Sequence, residues 1–222
     1  MSDLLPIIYQ RLLDMFGNQG WWPADSRDEM IIGAILTQSI SWKNVETALS
    51  NLKDHGITTI SDIHSVELSE LSKLVRPARF YNQKALRLKA FASFLFNNYG
   101  GSLDRMFADG LSELRLDMLK VNGFGEETVD SILLYAGNKR IFVVDEYTKR
   151  VFSRLGLSKD TWSYERLQDF LMSSLKEHTE IFEDYHAQIV HLAKHICLKN
   201  IPKCDVCPLN DLCDYYKIID WG

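Results

Sequence analysis

The chain has 222 residues, 46% of them hydrophobic, and a formal net charge of −5 from 25 Lys and Arg against 30 Asp and Glu. That length supports one substantial core or two smaller ones, and the acidic balance excludes a nonspecific basic coat for nucleic acid. No stretch approaches the roughly 18 uninterrupted apolar residues of a membrane span, and no basic region leads into an apolar run at the N-terminus. A soluble, cytoplasmic protein without a membrane partner is expected, and any DNA contact must come from a local patch.

Apolar residues recur at helical spacing along most of the chain. Leu4, Ile7, Ile8, Leu12 and Met15 open the series, and the glycines from Gly17 to Gly20 close its first member. Beyond Trp21, Trp22 and Pro23, a second helix is marked by Met30, Ile31, Ala34 and Ile35 and runs into Leu36-Thr37-Gln38, ahead of Trp42. His55-Gly56 and Arg76-Pro77 are the next breaks. Tyr81-Asn82-Gln83-Lys84-Ala85 then starts a helix carried on by Leu86, Ala90, Phe91 and Phe94 as far as Gly100-Gly101.

Gly123 and Gly125 stand one residue apart before an apolar helix predicted over Val129–Ala136. Glycines there permit positive φ and close backbone approach. The amides of Gly123, Phe124 and Gly125 and of the new helix would point outward together, a site for a phosphate or a cation-bridged phosphate. An ordinary tight helix-helix turn accounts for the two glycines equally well. After Gly137-Asn138, Ile141-Phe142-Val143-Val144 is the one convincing β-like run; it is too short to organise a sheet and reads as a buried connector. Asp145 follows, ahead of the helical pattern from Glu146 to Phe152. Aspartate is a favoured helix N-cap, and a capping carboxylate is also held rigid and ionised by the helix dipole, so it could stabilise a sugar cation or activate water. Gly156 is the last clear break. The pattern predicts about ten short helices and an all-α fold.

The four cysteines, Cys197, Cys204, Cys207 and Cys213, fall together at the C-terminal end, separated by six, two and five residues. Such clustering is a poor distribution of disulfides and suits a metal centre. Zinc is the structural alternative, although only Cys204 and Cys207 form the short pair typical of zinc sites.

The Gly-x-Gly hairpin, followed about twenty residues later by Val144-Asp145 and then Arg150-Val151, resembles the helix-hairpin-helix glycosylase superfamily. In that superfamily the matching aspartate is the essential catalytic residue, which makes Asp145 the candidate. The six-two-five cysteine spacing resembles the 4Fe-4S loop of endonuclease III and its adenine-glycosylase relative. Lys199 and Lys203 lie in its first segment, where the family presents basic side chains to DNA; solvated surface lysines are the plain alternative. Gln38 matches the glutamine that fills the gap left by a flipped nucleotide, and Tyr81 to Ala85 resembles the family's Tyr-Asn-x-Lys-Ala helix start. The resemblance therefore implies DNA contacts from Gln38, Asn82, Lys84, Gly123, Phe124, Gly125, Thr128, Lys149, Arg150, Lys199 and Lys203. It also implies a 4Fe-4S cluster on the four cysteines and allows a monovalent cation at the hairpin.

Two positions depart from endonuclease III. Its bifunctional members carry a Schiff-base lysine two residues after the second hairpin glycine, where this chain has Glu127; a carboxylate forms no imine, and Lys120 lies before the turn. The histidine expected two residues after the aspartate is Tyr147. Together with Trp21-Trp22-Pro23 and Trp42, these changes resemble the bacterial type III 3-methyladenine glycosylases, whose pocket is aromatic. A cationic alkylated purine suits such rings and leaves readily. By this resemblance the chain has two helical domains with a cleft between them: 26–136 carrying the hairpin, and 1–25 with 137–222 carrying the cluster loop. Expected is a monomeric, nucleoid-associated, monofunctional N-glycosylase for damaged duplex DNA. It would use Asp145, with Glu127 as a second polar group, and a base pocket of Trp21, Trp22, Pro23, Trp42 and Tyr147. A bifunctional enzyme on oxidised pyrimidines and a noncatalytic damaged-DNA-binding module are the alternatives.

Overall fold

A computed structural model describes residues 4–38, 40–176 and 178–218. Thirteen α-helices are found among them and no strand. The chain divides into two compact units, Met1–Trp21 with Arg140–Gly222, and Trp22–Lys139. The boundaries expected at residues 26 and 136 fall a few residues inside the second unit.

The second unit holds eight helices: α2 (Arg27–Thr37), α3 (Trp42–Asp54), α4 (Ile60–Ser65), α5 (Leu68–Leu74), α6 (Tyr81–Tyr99), α7 (Leu103–Ala108), α8 (Leu111–Leu119) and α9 (Glu126–Ser131). A π-helical turn, Ile132–Ala136, continues α9. Helix α2 starts where Ser26 Oγ accepts the Glu29 amide and Glu29 Oε2 accepts the Asp25 amide, two otherwise orphaned donors satisfied reciprocally. Met30 through Leu36 are all buried, because this helix is enclosed by α3, α6, α9 and the π turn. Helix α6 stops at Gly100, whose φ of +62° is the left-handed closure that glycine accepts without strain. Arg115 of α8 grips Asp130 of α9 with two hydrogen bonds at 2.7 and 3.0 Å, and Asp130 is fully buried. This charge-assisted fork sets the two hairpin helices against each other.

In the first unit, α1 (Leu4–Phe16), α10 (Glu146–Arg154), α11 (Tyr164–Ser174) and α12 (Phe182–His195) carry or flank the core of Tyr185, Phe142, Phe152 and Phe182, and α13 (Asp214–Ile218) packs against α10. Tyr185 donates to the Leu5 carbonyl at 2.9 Å and Tyr9 to Asp184 at 3.0 Å, so α12 anchors the N-terminal helix. Ile141–Val144 is the buried connector expected from the sequence; Gln168 of α11 donates to the Phe142 carbonyl at 2.6 Å, and the Val144 amide donates to Tyr164 Oη at 3.3 Å. Of the residues read as a helical apolar face, Ile7, Met15 and Leu86 are exposed.

Candidate active site and cysteine loop

Asp145 is the N-cap of α10. Its Oδ1 accepts both the Thr148 amide at 2.7 Å and the Thr148 hydroxyl at 2.8 Å, so the capping role read from the sequence is present in full. Its Oδ2 lies 3.5 Å from His186 Nε2 on α12. Burial alone would push this carboxyl upward; the contacts with His186 and Thr148 outweigh it and hold Asp145 below the usual carboxylate range, hence ionised near neutrality. His186 carried no sequence signal, being one of three histidines along α12, and only its packing beside Asp145 marks it.

At the hairpin, Gly123 has φ +84°, and a Cβ there would stand 2.6 Å from the Arg87 side chain, so both backbone and space require glycine. Gly125 is different. Its φ of −103° is open to any residue, and a Cβ would meet nothing within 4 Å, so nothing inside the chain demands glycine there. Among the described residues, the amides of Gly123 and Gly125 donate to no group of the chain, whereas the Phe124 amide donates to the Val121 carbonyl at 3.1 Å. Phe124 itself is buried, stacked on Phe91 at 5.9 Å. The expected trio of outward amides is therefore a pair, because Phe124 closes the turn internally. Glu127 is exposed in the first turn of α9, and Lys120 is paired with Asp117 on the preceding helix.

Several of the side chains expected to contact DNA are engaged inside the chain. Lys84 is 1% exposed, and its Nζ donates to the carbonyls of Leu36 at 2.7 Å and Ala78 at 2.6 Å, tying α2 to the start of α6; it cannot reach a phosphate. Thr128 is buried, its hydroxyl accepting from Gln38 Nε2 at 2.7 Å. Gln38 also receives the Arg87 guanidinium on its Oε1, so this amide is held at both ends inside the unit. Arg150 turns inward to donate to the carbonyls of Cys197 at 3.1 Å and Ala193 at 2.9 Å. Asn82, Lys199 and Lys203 are exposed, and Lys149 is half-buried, 3.6 Å from Glu146.

Sequence reasoning passed over Phe80. Arg79 and Phe80 both have left-handed φ, +45° and +44°, and the Phe80 ring is 62% exposed next to Tyr81 and Asn82. A bulky residue in this region is strained.

The aromatic residues sort by unit. Trp22 meets Trp42 edge-on at 5.4 Å and Tyr135 at 5.5 Å, with the Cα of Gly33 against them; a Cβ at Gly33 would stand 3.3 Å from Trp22 Nε1. Pro23 is exposed beside them. In the other unit the Lys194 ammonium lies 5.9 Å from the Trp21 ring centre and 5.8 Å from that of Tyr147, so these two faces already hold a cation.

Cys197, Cys204, Cys207 and Cys213 line one small cavity with Ile196, Pro202, Asn210, Tyr215 and Tyr216. Four thiols sharing one small void are a donor set that suits a metal centre, an iron-sulfur cluster and tetrahedral zinc alike. Donors are in place for the sulfurs: Arg154 Nη1 lies 3.3 Å from Cys197 Sγ, and backbone amides of Leu209, Tyr215 and Tyr216 face Cys207 and Cys213. Burial pushes the Cys207 thiol up to about 11 and raises Cys204 and Cys213, so ligation must displace protons.

A hairpin with outward amides, a capping carboxylate and a four-cysteine loop define an all-helical, helix-hairpin-helix class of protein. Residues 32–177 carry the signature of the HhH-GPD superfamily base excision DNA repair proteins, and the chain belongs to that superfamily. A protein of Methanocaldococcus jannaschii named "Putative DNA repair glycosylase" is 45% identical over 212 residues, covering 95% of this chain and 96% of that one. Endonuclease III of Thermotoga maritima is 27% identical over 188 residues, covering 85% and 83%. Among solved structures, H. pylori 3-methyladenine DNA glycosylase bound to 1,N6-ethenoadenine is 27% identical with a TM-score of 0.75, over 87% of this chain and 96% of that one. A trapped endonuclease III–DNA covalent intermediate shares the fold, with a TM-score of 0.83 at 22% identity over 98% and 97%.

Proposed function

We propose that this DNA repair glycosylase is monofunctional and hydrolyses the N-glycosidic bond of alkylated purines in duplex DNA, acting as a monomer. The observation that carries the reading is Asp145, an ionised carboxylate fixed at a helix N-terminus with Oδ1 committed to Thr148 and Oδ2 facing His186. As the bond between C1′ and the base nitrogen breaks, its electron pair leaves with the base and Asp145 stabilises the sugar cation. Water adds to C1′ and its proton passes to the carboxylate or to solvent. A cationic purine needs little acid assistance, and the Trp22, Trp42 and Tyr135 rings offer it electron-rich surfaces, as Trp21 and Tyr147 do for Lys194. Glu127 stands where a lyase would need an amine.

The amides of Gly123 and Gly125 would take a phosphate, directly or through a monovalent cation, with Asn82, Lys149, Lys199 and Lys203 as further backbone contacts. Gln38 would enter the duplex only by leaving Thr128 and Arg87. Phe80 is the apolar wedge that holds the base stack open. Cys197, Cys204, Cys207 and Cys213 would hold a 4Fe-4S cluster, which supplies structural cross-linking of the loop when bound.

The test is to assay strand breaks in a methylated duplex and a thymine-glycol duplex, before and after alkali. Breaks only after alkali in the methylated duplex support the proposal. Breaks without alkali in the thymine-glycol duplex, with borohydride trapping of protein on DNA, would overturn it in favour of a bifunctional enzyme; tight binding without base release would favour a noncatalytic module.

A further inference from the structure

We infer that His186 is a positioning residue for Asp145: from α12 its buried imidazole braces carboxylate oxygen Oδ2 in the orientation the reaction uses. This rests on the role given to Asp145 above. The two Thr148 bonds both fall on Oδ1, so they tether one oxygen to α10 and leave Oδ2 to be placed by something else. The group at that position is His186, its Nε2 3.5 Å away, with side-chain exposures of 7% for the histidine and 12% for the aspartate.

The imidazole is itself held. The Phe142 ring meets it edge-on at 6.5 Å, and its neighbour Tyr185 is locked to the Leu5 carbonyl. In a close-packed interior a ring so confined cannot swing aside without disturbing its neighbours. At 3.5 Å the contact is long for a hydrogen bond, as contacts in a substrate-free site often are before they tighten in the complex. His186 from α12 and Thr148 from its own helix are the groups that face this carboxylate; α13 meets α10 at the opposite end, where Tyr215 stacks under Arg154 at 4.6 Å.

The experiment compares wild type, His186→Leu and His186→Gln, each with its cluster. It measures single-turnover base release, duplex affinity, and the pH titration of the Asp145 carboxyl carbon in 13C-aspartate-labelled protein. The rate should fall roughly 10- to 100-fold in His186→Leu, the cost of a misplaced catalytic group, while duplex affinity stays at the wild-type value. His186→Gln, whose amide can still donate, should recover most of the rate. The carboxyl midpoint should be lowest in wild type, intermediate in His186→Gln and highest in His186→Leu. A wild-type rate in His186→Leu, or equal losses of rate in both variants, would overturn the inference. If wild type releases no base from any lesion, the glycosylase reading falls instead, and the titration alone decides the pairing: unchanged midpoints sink it. Should His186→Leu fail to fold, the His186→Gln midpoint must still lie above the wild-type one.

Discussion

Asp145→Asn isolates the charge of the carboxylate from its role as a helix cap. Asparagine is among the best N-caps, and its Oδ1 can still accept the Thr148 amide and hydroxyl, so α10 keeps its start and folding changes by less than about 1 kcal/mol. What disappears is a full negative charge. A unit charge about 4 Å from a developing cation, at an effective dielectric near 20, is worth about 4 kcal/mol. At about 1.36 kcal/mol per tenfold, that predicts a fall in single-turnover base release of about 10³-fold. The assay is alkali-developed strand cleavage of a methylated duplex with enzyme in excess, alongside duplex affinity by fluorescence anisotropy and a melting curve. Affinity and melting temperature should stay near wild type. Base release within tenfold of wild type by folded Asp145→Asn would refute the assignment of the carboxylate, and with it the mechanism.

Phe80→Ala removes an exposed ring and relieves a strained side chain, so the fold should be undamaged. Base stacking is worth about 1–3 kcal/mol, so duplex affinity should weaken roughly 5- to 150-fold; unchanged anisotropy would remove Phe80 from the interface. Lys84 is held by burial at about 8, below its ordinary 10.5. Between those values the unfolded chain binds the extra proton, so this residue's contribution to stability rises with pH from about 8 to 10.5. Relative to Lys84→Met, wild type should therefore gain melting temperature across that window, and a flat difference would contradict the burial. Arg154→Leu frees the carbonyls of Leu198 and Lys199 and removes the donor to Cys197 Sγ, so iron content and visible absorbance should drop while α1 and α12 stay folded by circular dichroism. Gly156→Ala would set a Cβ 2.0 Å from Asp214 Oδ2 at φ +75°, displacing the helix after Cys213; it too should lower bound iron.

What could be read along the chain was whatever depends on near neighbours. The all-α pattern, the buried run Ile141–Val144, the N-cap at Asp145 and the grouping of four cysteines rest on spacings of a few residues, and backbone sterics and capping act over that range. The Gly-x-Gly turn was legible as a turn, but the internal bond of the Phe124 amide was not, because only closure of the hairpin onto Val121 fixes which donors remain outward. Lysine reads as a surface residue since burying its charge is costly, and nothing near Lys84 announces that two carbonyls, from Leu36 and Ala78, converge on it. Phe80's left-handed backbone had no local signal either, since phenylalanine favours negative φ. His186 reaches Asp145, and Arg150 and Arg154 reach the cysteine loop, because α10 packs against α12 and α13. Partners that far apart in the chain are chosen by which helical faces meet when apolar surface is buried, a long-range outcome that no local spacing encodes.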